Sequence, residues 1–303
     1  MPRTTTEVGA VTARPAIGTR TQTVTMVPVI GCLNVAEEIL GPERDWQGEN
    51  PDQVRFLRDF YDKGRNQMRD LQGLESIADR DPSVVNSFLA ARHFSIELPP
   101  AQGPNPFYVA SVFKALIRWL QVGEVTTVRN RYPAVRMGAG MTRVLESPDW
   151  QNPIGQIRTQ SGDQVFMTVV EQFDGKAFDL VDLAIRIERE AHHTEKFSGV
   201  VFPMIDYDAQ VDISWLEGMH TVGSDGHPAV IEKALQQTKV KMNEVGVRVE
   251  SAVGMSMMRM NMLSGPLVID RPFLLWIRRD GVEQPLFVGH FYEDTWKNPG
   301  KIF

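Results

Sequence analysis

The chain has 303 residues, 42% of them apolar, with 32 Lys and Arg against 38 Asp and Glu for a formal charge of −6. That length suffices for one large domain or two ordinary ones with a sizeable core, and the acidic balance argues against a nucleic-acid surface. One cysteine, Cys32, rules out an intramolecular disulfide or a multi-cysteine zinc site, and no apolar run approaches the roughly 20 residues of a membrane span. No charged segment followed by an apolar one opens the sequence. The expected setting is therefore cytoplasmic, with an extracellular or viral assembly as the alternative.

Residues 1–25 stand apart, with eight threonines and little apolar periodicity. They read as an extended arm, either free or ordered against a partner or neighbouring subunit in a larger assembly. Val24 to Ile30 reads as a short strand that Pro28 pushes towards a sheet edge, and Asn34 to Leu40 as a short helix. The strongest helix signal is Pro51 to Leu71. Asn50 suits its cap, Pro51 its first position and Asp52 its positive end. Val54, Leu57, Phe60, Tyr61, Met68 and Leu71 give it an apolar face, and Gly64 weakens its middle. Ser83 to Phe94 is undecided between helix and strand.

From about residue 105 the pattern turns towards β. Phe107 to Phe113 is an apolar run, and Val165 to Phe173 reads as a strand before the turn signal Asp174-Gly175. Phe178 to Ile187 follows with partial alternation. Val200 to Ile205, Val230 to Met242, Leu267 to Ile277 and Pro285 to Phe291 complete the set. Helices in the first third and strands in the rest point to an α+β architecture.

Enzyme signatures are missing. There is no Gly-x-Ser-x-Gly, no Gly-x-x-x-x-Gly-Lys and no His-Glu-x-x-His. Gly138-Ala139-Gly140 lacks the later glycine of a dinucleotide loop. His192, His193 and Glu195 lie in a charge-rich stretch that reads as a solvated face rather than a chelate. Asp206, Asp208 and Asp212 fall in a loop-like stretch without the glycine and glutamate of a calcium loop. The expectation is a protein that is not an enzyme and needs neither metal nor cofactor.

The informative stretch lies near the C-terminus. Val247, Val249, Ser251, Val253, Met255 and Met257 share one face at period two, with Arg248, Glu250, Ala252, Gly254, Ser256 and Met258 on the other. Five methionines crowd residues 255–262, as in an exposed and adaptable tip. On these features alone the segment is either an ordinary edge strand with a Met-rich loop or a strand-forming segment held in the open.

Three motifs around it resemble the C-terminal signature of the serpins. Asn243-Glu244-Val245-Gly246 resembles the Asn-Glu-Glu-Gly that opens the serpin hinge. Asp270-Arg271-Pro272-Phe273 resembles the Asn-Arg-Pro-Phe after the reactive loop, and Pro285-Leu286-Phe287-Val288-Gly289 resembles the closing strand. Upstream, the likeness is weaker. Val109 to Lys114 with Trp119, Asp163 to Ile187, and Phe202-Pro203 with Val211-Asp212-Ile213 and Leu216 resemble further serpin segments. The N-terminal part is shorter than in a usual serpin.

The resemblance implies a serpin-like α+β fold: a large mixed β-sheet with further sheets, N-terminal helices and an exposed reactive-centre loop at about 244–264. Residues 1–25 would be an arm and 26–303 a single domain. It also implies inhibition of a serine protease by loop insertion from a metastable state. Glu244, Gly246, Val247, Val249 and Ser251 would form the hinge. Family spacing places the scissile bond at Met260-Asn261, for chymotrypsin-, elastase- or subtilisin-like enzymes. A shift by one gives Arg259-Met260, for trypsin-like ones. The hinge departs from the usual Ala-rich pattern, and burying Val249 in a tight slot would cost about 1–3 kcal/mol. Gln236 stands where the family often has a buried histidine. The alternative implied function is a non-inhibitory serpin-fold binding or structural component anchored through its arm.

Overall fold

The computed structural model describes residues 20–101, 105–115, 117–245 and 265–302. A short strand, β1 (Gln22–Val24), runs into helix α1 (Val27–Leu40). The strand expected over Val24 to Ile30 is thus corrected. Pro28 falls in the first turn of α1, where its missing N–H has no intrahelical partner to lose. Asn34 to Leu40 is the second half of the same helix. Val29, Ile30, Leu33 and Ala36 bury α1 against the rest of the molecule.

The helix signal at Pro51 holds in three parts: α2 (Pro51–Phe56), a π-helical turn over Leu57–Tyr61, and α3 (Asp62–Arg69). Asn50 Oδ1 accepts from Gln53 N at 2.9 Å, and Gln53 Oε1 accepts from Asn50 N at 3.4 Å, a capping box. The π turn shifts the buried face, so Phe56, Phe60 and Tyr61 point inward while Val54 is exposed. Next come β2 (Leu74–Asp79), α4 (Pro82–Ala91) and β3 (Tyr108–Phe113). Asp81 Oδ1 caps α4 by accepting from Ser83 N, which settles that stretch as helix.

The middle of the chain is β4 (Glu124–Val128), β5 (Tyr132–Gly138), β6 (Thr142–Ser147), β7 (Trp150–Arg158) and β8 (Gln164–Val169). Helix α5 (Ala177–Glu188) follows, where alternation suggested a strand. Leu180, Leu183, Ala184 and Ile187 also recur at helical spacing, and all four are buried. Asp179 Oδ2 accepts from Lys176 N at 2.9 Å, so the Asp174-Gly175 signal precedes a helix start. Then come β9 (His192–Thr194), β10 (Gly199–Pro203), β11 (Ile205–Val211), β12 (His220–Val222) and β13 (Pro228–Val230). The last strands are β14 (Gln236–Met242), β15 (Leu267–Val268), β16 (Phe273–Arg278) and β17 (Phe287–Phe291).

The largest sheet has seven strands in the order β1-β17-β16-β8-β7-β6-β9. Every neighbouring pair in it is antiparallel, so the expected mixed character is absent from this sheet. The parallel pair, β10 with β15, belongs to a four-stranded sheet ordered β15-β10-β5-β4. One core cluster lies between the large sheet and α1, α2, α3 and α5. Phe166 stacks on Trp276 there at 5.2 Å between ring centroids. A second fills the space between the large and four-stranded sheets and reaches β11 and β14. A third joins α4 to β3 through Val85, Leu89, Tyr108, Ala110 and Val112.

Two further ladders position the site, β2 with β3 and β11 with β14. The resemblance implied a large sheet with further sheets, and the strands next to the expected hinge do not join the seven-stranded one. Among the described residues that region instead holds two separate two-stranded ladders.

Candidate functional site

β14 leads straight into the stretch singled out by sequence. Its side chains alternate, with Gln236, Thr238 and Met242 buried and Lys239 and Lys241 exposed. On the exposed face, β11 supplies the opposite charges. Lys239 Nζ lies 2.8 Å from Asp208 Oδ2, and Lys241 Nζ 3.9 Å from Asp206 Oδ1. Asp206 and Asp208 are therefore strand residues, not loop carboxylates. Asp212 accepts from Ser214 N and Oγ, bonds that hold its carboxyl below the usual range. His192 and His193 are exposed on β9. No group of three metal-ligating side chains occurs among the described residues.

At its C-terminal end β14 is pinned from four sides. Trp119 Nε1 donates to Asn243 O at 2.8 Å, and Gly123 N donates to Glu244 O at 2.8 Å. Asn243 Nδ2 donates to Gly300 O at 3.0 Å, while its Oδ1 accepts from Val245 N at 3.0 Å. Gly123 is required by proximity, because a Cβ there would lie 2.3 Å from Val135 Cγ1. At the other end, Gln236 Nε2 donates to Thr25 O at 3.1 Å. Gln236 thus supplies a polar tie in the strand before the hinge.

Between β3 and β14 lies a cavity of about 1680 Å³. No backbone hydrogen bond links the two strands among the described residues. α1 forms one wall, with Cys32 beside Ser111; burial pushes the Cys32 thiol up to about 11. Gly31 lets α1 approach this closely, since a Cβ there would sit 2.8 Å from Ser111 Oγ. β3 and β14 both end towards the Trp119–Asn243 contact, so a strand returning between them would run antiparallel to each. Facing strand edges carry donors and acceptors at fixed spacing, so an extended chain is the ligand that pairs with them.

Glu244 is the one expected hinge residue within the described part of the chain, two residues beyond Met242, which lines this cavity. Gly246, Val247, Val249 and Ser251 lie outside the described residues, as do Arg259, Met260 and Asn261. Beyond them the chain continues at Gly265 into β15. Arg271 bonds Glu171, Pro272 O accepts from Val170 N at 2.9 Å, and Phe273 is fully buried. The Asp-Arg-Pro-Phe motif thereby ties the far end of the segment to β8.

A family model described as serpin (serine protease inhibitor) matches residues 206–293, a span that includes all three C-terminal motifs. That span carries a serpin-family match. Solved serpins share its fold at low identity. A serpin from Schistosoma mansoni superposes with a TM-score of 0.59 at 10% identity, over 90% of this chain and 95% of that one. Serpin48 of the insect Tenebrio molitor gives 0.55 at 10%, over 90% and 92%. Uncleaved ovalbumin gives 0.55 at 13%, over 89% and 92%. No curated protein matches the sequence. Sequence reasoning missed Asn243 as a structural anchor and β2 as the partner of β3. The short polar Asn243 directly before a turn was the available signal for the first. No helix among the described residues is long and apolar enough to cross a membrane.

Proposed function

We propose that this chain inhibits a serine protease, offering residues 244–263 as bait and drawing their first part between β3 and β14. The observation that carries the reading is the pair of strand edges flanking the cavity that have no partner among the described residues, with β14 leading in sequence straight into the bait segment. Register supports it. A two-residue turn at Glu244-Val245 sets Val247 opposite Met242, Val249 opposite Val240 and Ser251 opposite Thr238, on the inner face of β14. Glu250 then falls opposite Lys239 as an opposite-charge pair on the outer face, while Arg248 opposite Lys241 is a like-charge pair that counts against the register. The protein stores strain and performs no chemistry of its own; the protease supplies nucleophile and base. Met260-Asn261 is the preferred scissile bond and Arg259-Met260 the runner-up.

Incubation with trypsin-, chymotrypsin- and subtilisin-like proteases tests this. An SDS-stable complex that Met260→Asp or Arg259→Ala suppresses supports inhibition and identifies the bond. Plain cleavage with all three enzymes sinks it. A second reading is a non-inhibitory serpin-fold component of a larger assembly, tethered by an arm over residues 1–25 ahead of a domain over 26–303. The Val247-Arg248-Val249-Glu250 sequence, which departs from the Ala-rich hinge pattern, favours that reading.

A further inference from the structure

Three large apolar side chains stand open within six residues of the chain: Leu120, Val122 and Val125 are 46, 57 and 59% exposed. Val125 lies on β4, the end strand of the four-stranded sheet, whose one partner strand among the described residues is β5. The sequence of β4, Glu-Val-Thr-Thr-Val, is β-branched at four of its five positions. It carries neither the lysine nor the proline that commonly guards a sheet edge.

Two hydrogen bonds show which way its backbone groups point. Met204 N donates to Pro133 O at 2.9 Å, so Pro133 faces β10 and Thr127, opposite it, turns its own groups away from β5. Gly123 N donates to Glu244 O at 2.8 Å on that outer side, in the same phase. The alternation leaves the N–H and C=O of Val125 and Thr127 on the outer edge, where no backbone group among the described residues meets them.

The chain that precedes the described residues leads off from the other end of this edge. Arg20 is the first described residue, and its guanidinium lies 6.0 Å from the centre of the Tyr292 ring. The next residue, Glu293, accepts from Arg129 Nη1 at 3.0 Å, and Arg129 directly follows β4. Between Gly9 and Pro15, which suit the bounds of a strand better than its interior, lie Ala10-Val11-Thr12-Ala13-Arg14, five residues like β4 itself. The six steps from Arg14 to Arg20 reach up to about 20 Å, which allows a turn back onto Val128.

We propose that residues 10–14 pair with the free edge of β4 in the same chain, as a parallel fifth strand of that sheet. Entering from the Val128 end, the segment runs in the same direction as β4. With Thr12 beside Thr126, the N–H groups of Thr12 and Arg14 donate to the carbonyls of Val125 and Thr127, whose own N–H groups donate to Ala10 and Thr12. Val11 then lies beside Val125 and covers it. The tether presents the segment at high effective concentration, which favours its own chain over a second copy. The pairing is independent of whether the bait loop inserts.

Amide exchange at Val125 and Thr127, followed by NMR on the full chain, tests this. Both amides should be protected, and Thr12→Pro, which removes a donor to β4, should speed their exchange about tenfold, on the order of one or two net hydrogen bonds. Thr5→Pro, outside the segment, should leave both rates unchanged, as should dilution. In a Cys32→Ser background, Val11→Cys with Val125→Cys should oxidise to a disulfide within one chain. Free exchange of the two amides in the unaltered chain, or equal protection with Thr12→Pro, overturns the pairing. Protection that falls on dilution, with the disulfide joining two chains, overturns it in favour of a second copy. Protection lost with Val249→Pro but kept with Thr12→Pro overturns it in favour of the bait loop.

Discussion

Trp119 Nε1 donates to the carbonyl of Asn243 at 2.8 Å, across 124 residues of sequence. Both residues are buried, and the indole also packs edge-on against Phe202 with ring centroids 6.0 Å apart. The bond joins the chain that leaves β3 to the last residue before the turn at Glu244. It therefore fixes one end of the opening between the two ladders.

Trp119→Phe keeps an aromatic ring against Phe202 but leaves a buried carbonyl without its donor. The expected loss is about 1–3 kcal/mol, read from the urea midpoint at constant m. An unchanged midpoint would mean that the carbonyl is served by another group.

Asp163 and Arg279 form a second long-range tie, between the β7–β8 turn and the end of β16. Nε and Nη2 of the guanidinium reach the two carboxylate oxygens at 2.7 and 2.9 Å, and Nη1 donates to Gln72 O at 3.0 Å. The bonds to Asp163 hold the Arg279 guanidinium above its ordinary value. Asp163 is only 2% exposed, so Asp163→Asn leaves a partly buried cation opposite a neutral amide. The expected cost is about 3 kcal/mol. Arg279→Lys keeps the charge but loses the fork, and should cost less. Denaturant unfolding of both variants checks the order.

His290 gives the fold a pH dependence. It is fully buried in β17, and its Nε2 lies 2.6 Å from Val170 O. Burial holds the imidazole below its ordinary value of 6.5, outweighing the bond to Val170. The unfolded chain therefore binds more protons than the folded one once the pH drops below about 6.5. The contribution is present in full above that point and is lost as pH falls towards the folded value, at up to about 1.4 kcal/mol per pH unit. Thermal unfolding between pH 7.5 and 5 should show a steeper decline for the unaltered chain than for His290→Gln. Equal slopes would assign the decline to other groups.

The charged outer face of β14 tests the proposed register of insertion. Lys239, now paired with Asp208, would face Glu250 across the new ladder. Lys239→Glu should slow the gain in stability that follows nicking of residues 246–264. Adding Glu250→Lys should restore much of it, because cross-strand opposite charges contribute about 0.2–1 kcal/mol. Equal rates for the single and double variants would place a different residue opposite Lys239.

Sequence reasoning reached the parts that local chemistry dictates. Asn50 and Pro51 announced α2 because a cap and a first-turn proline act within four residues. The strands around Asp270 to Phe273 and Pro285 to Gly289 were legible from motifs. Phe178 to Ile187 was misread because its apolar residues satisfy period two in part and period 3.6 fully, and tertiary burial decides between them. β2, with Leu74 and Ile77 only partly buried, carries too weak a pattern to stand out. At the candidate site the sequence offers Asn243 to Gly246 only as a motif resembling a hinge. The Trp119–Asn243 and Ser95–Gln237 hydrogen bonds were not legible, since nothing local announces partners more than 120 residues apart.

The account turns on whether the opening between β3 and β14 accepts a strand of this same chain. Amide hydrogen exchange over residues 108–113 and 236–242, before and after a single nick within 246–264, measures this directly. Insertion predicts that the slot-facing amides of both strands become strongly protected after the nick, with peptide 246–253 protected alongside them. Unchanged exchange in β3 and β14, with the nicked segment exchanging freely, would contradict it.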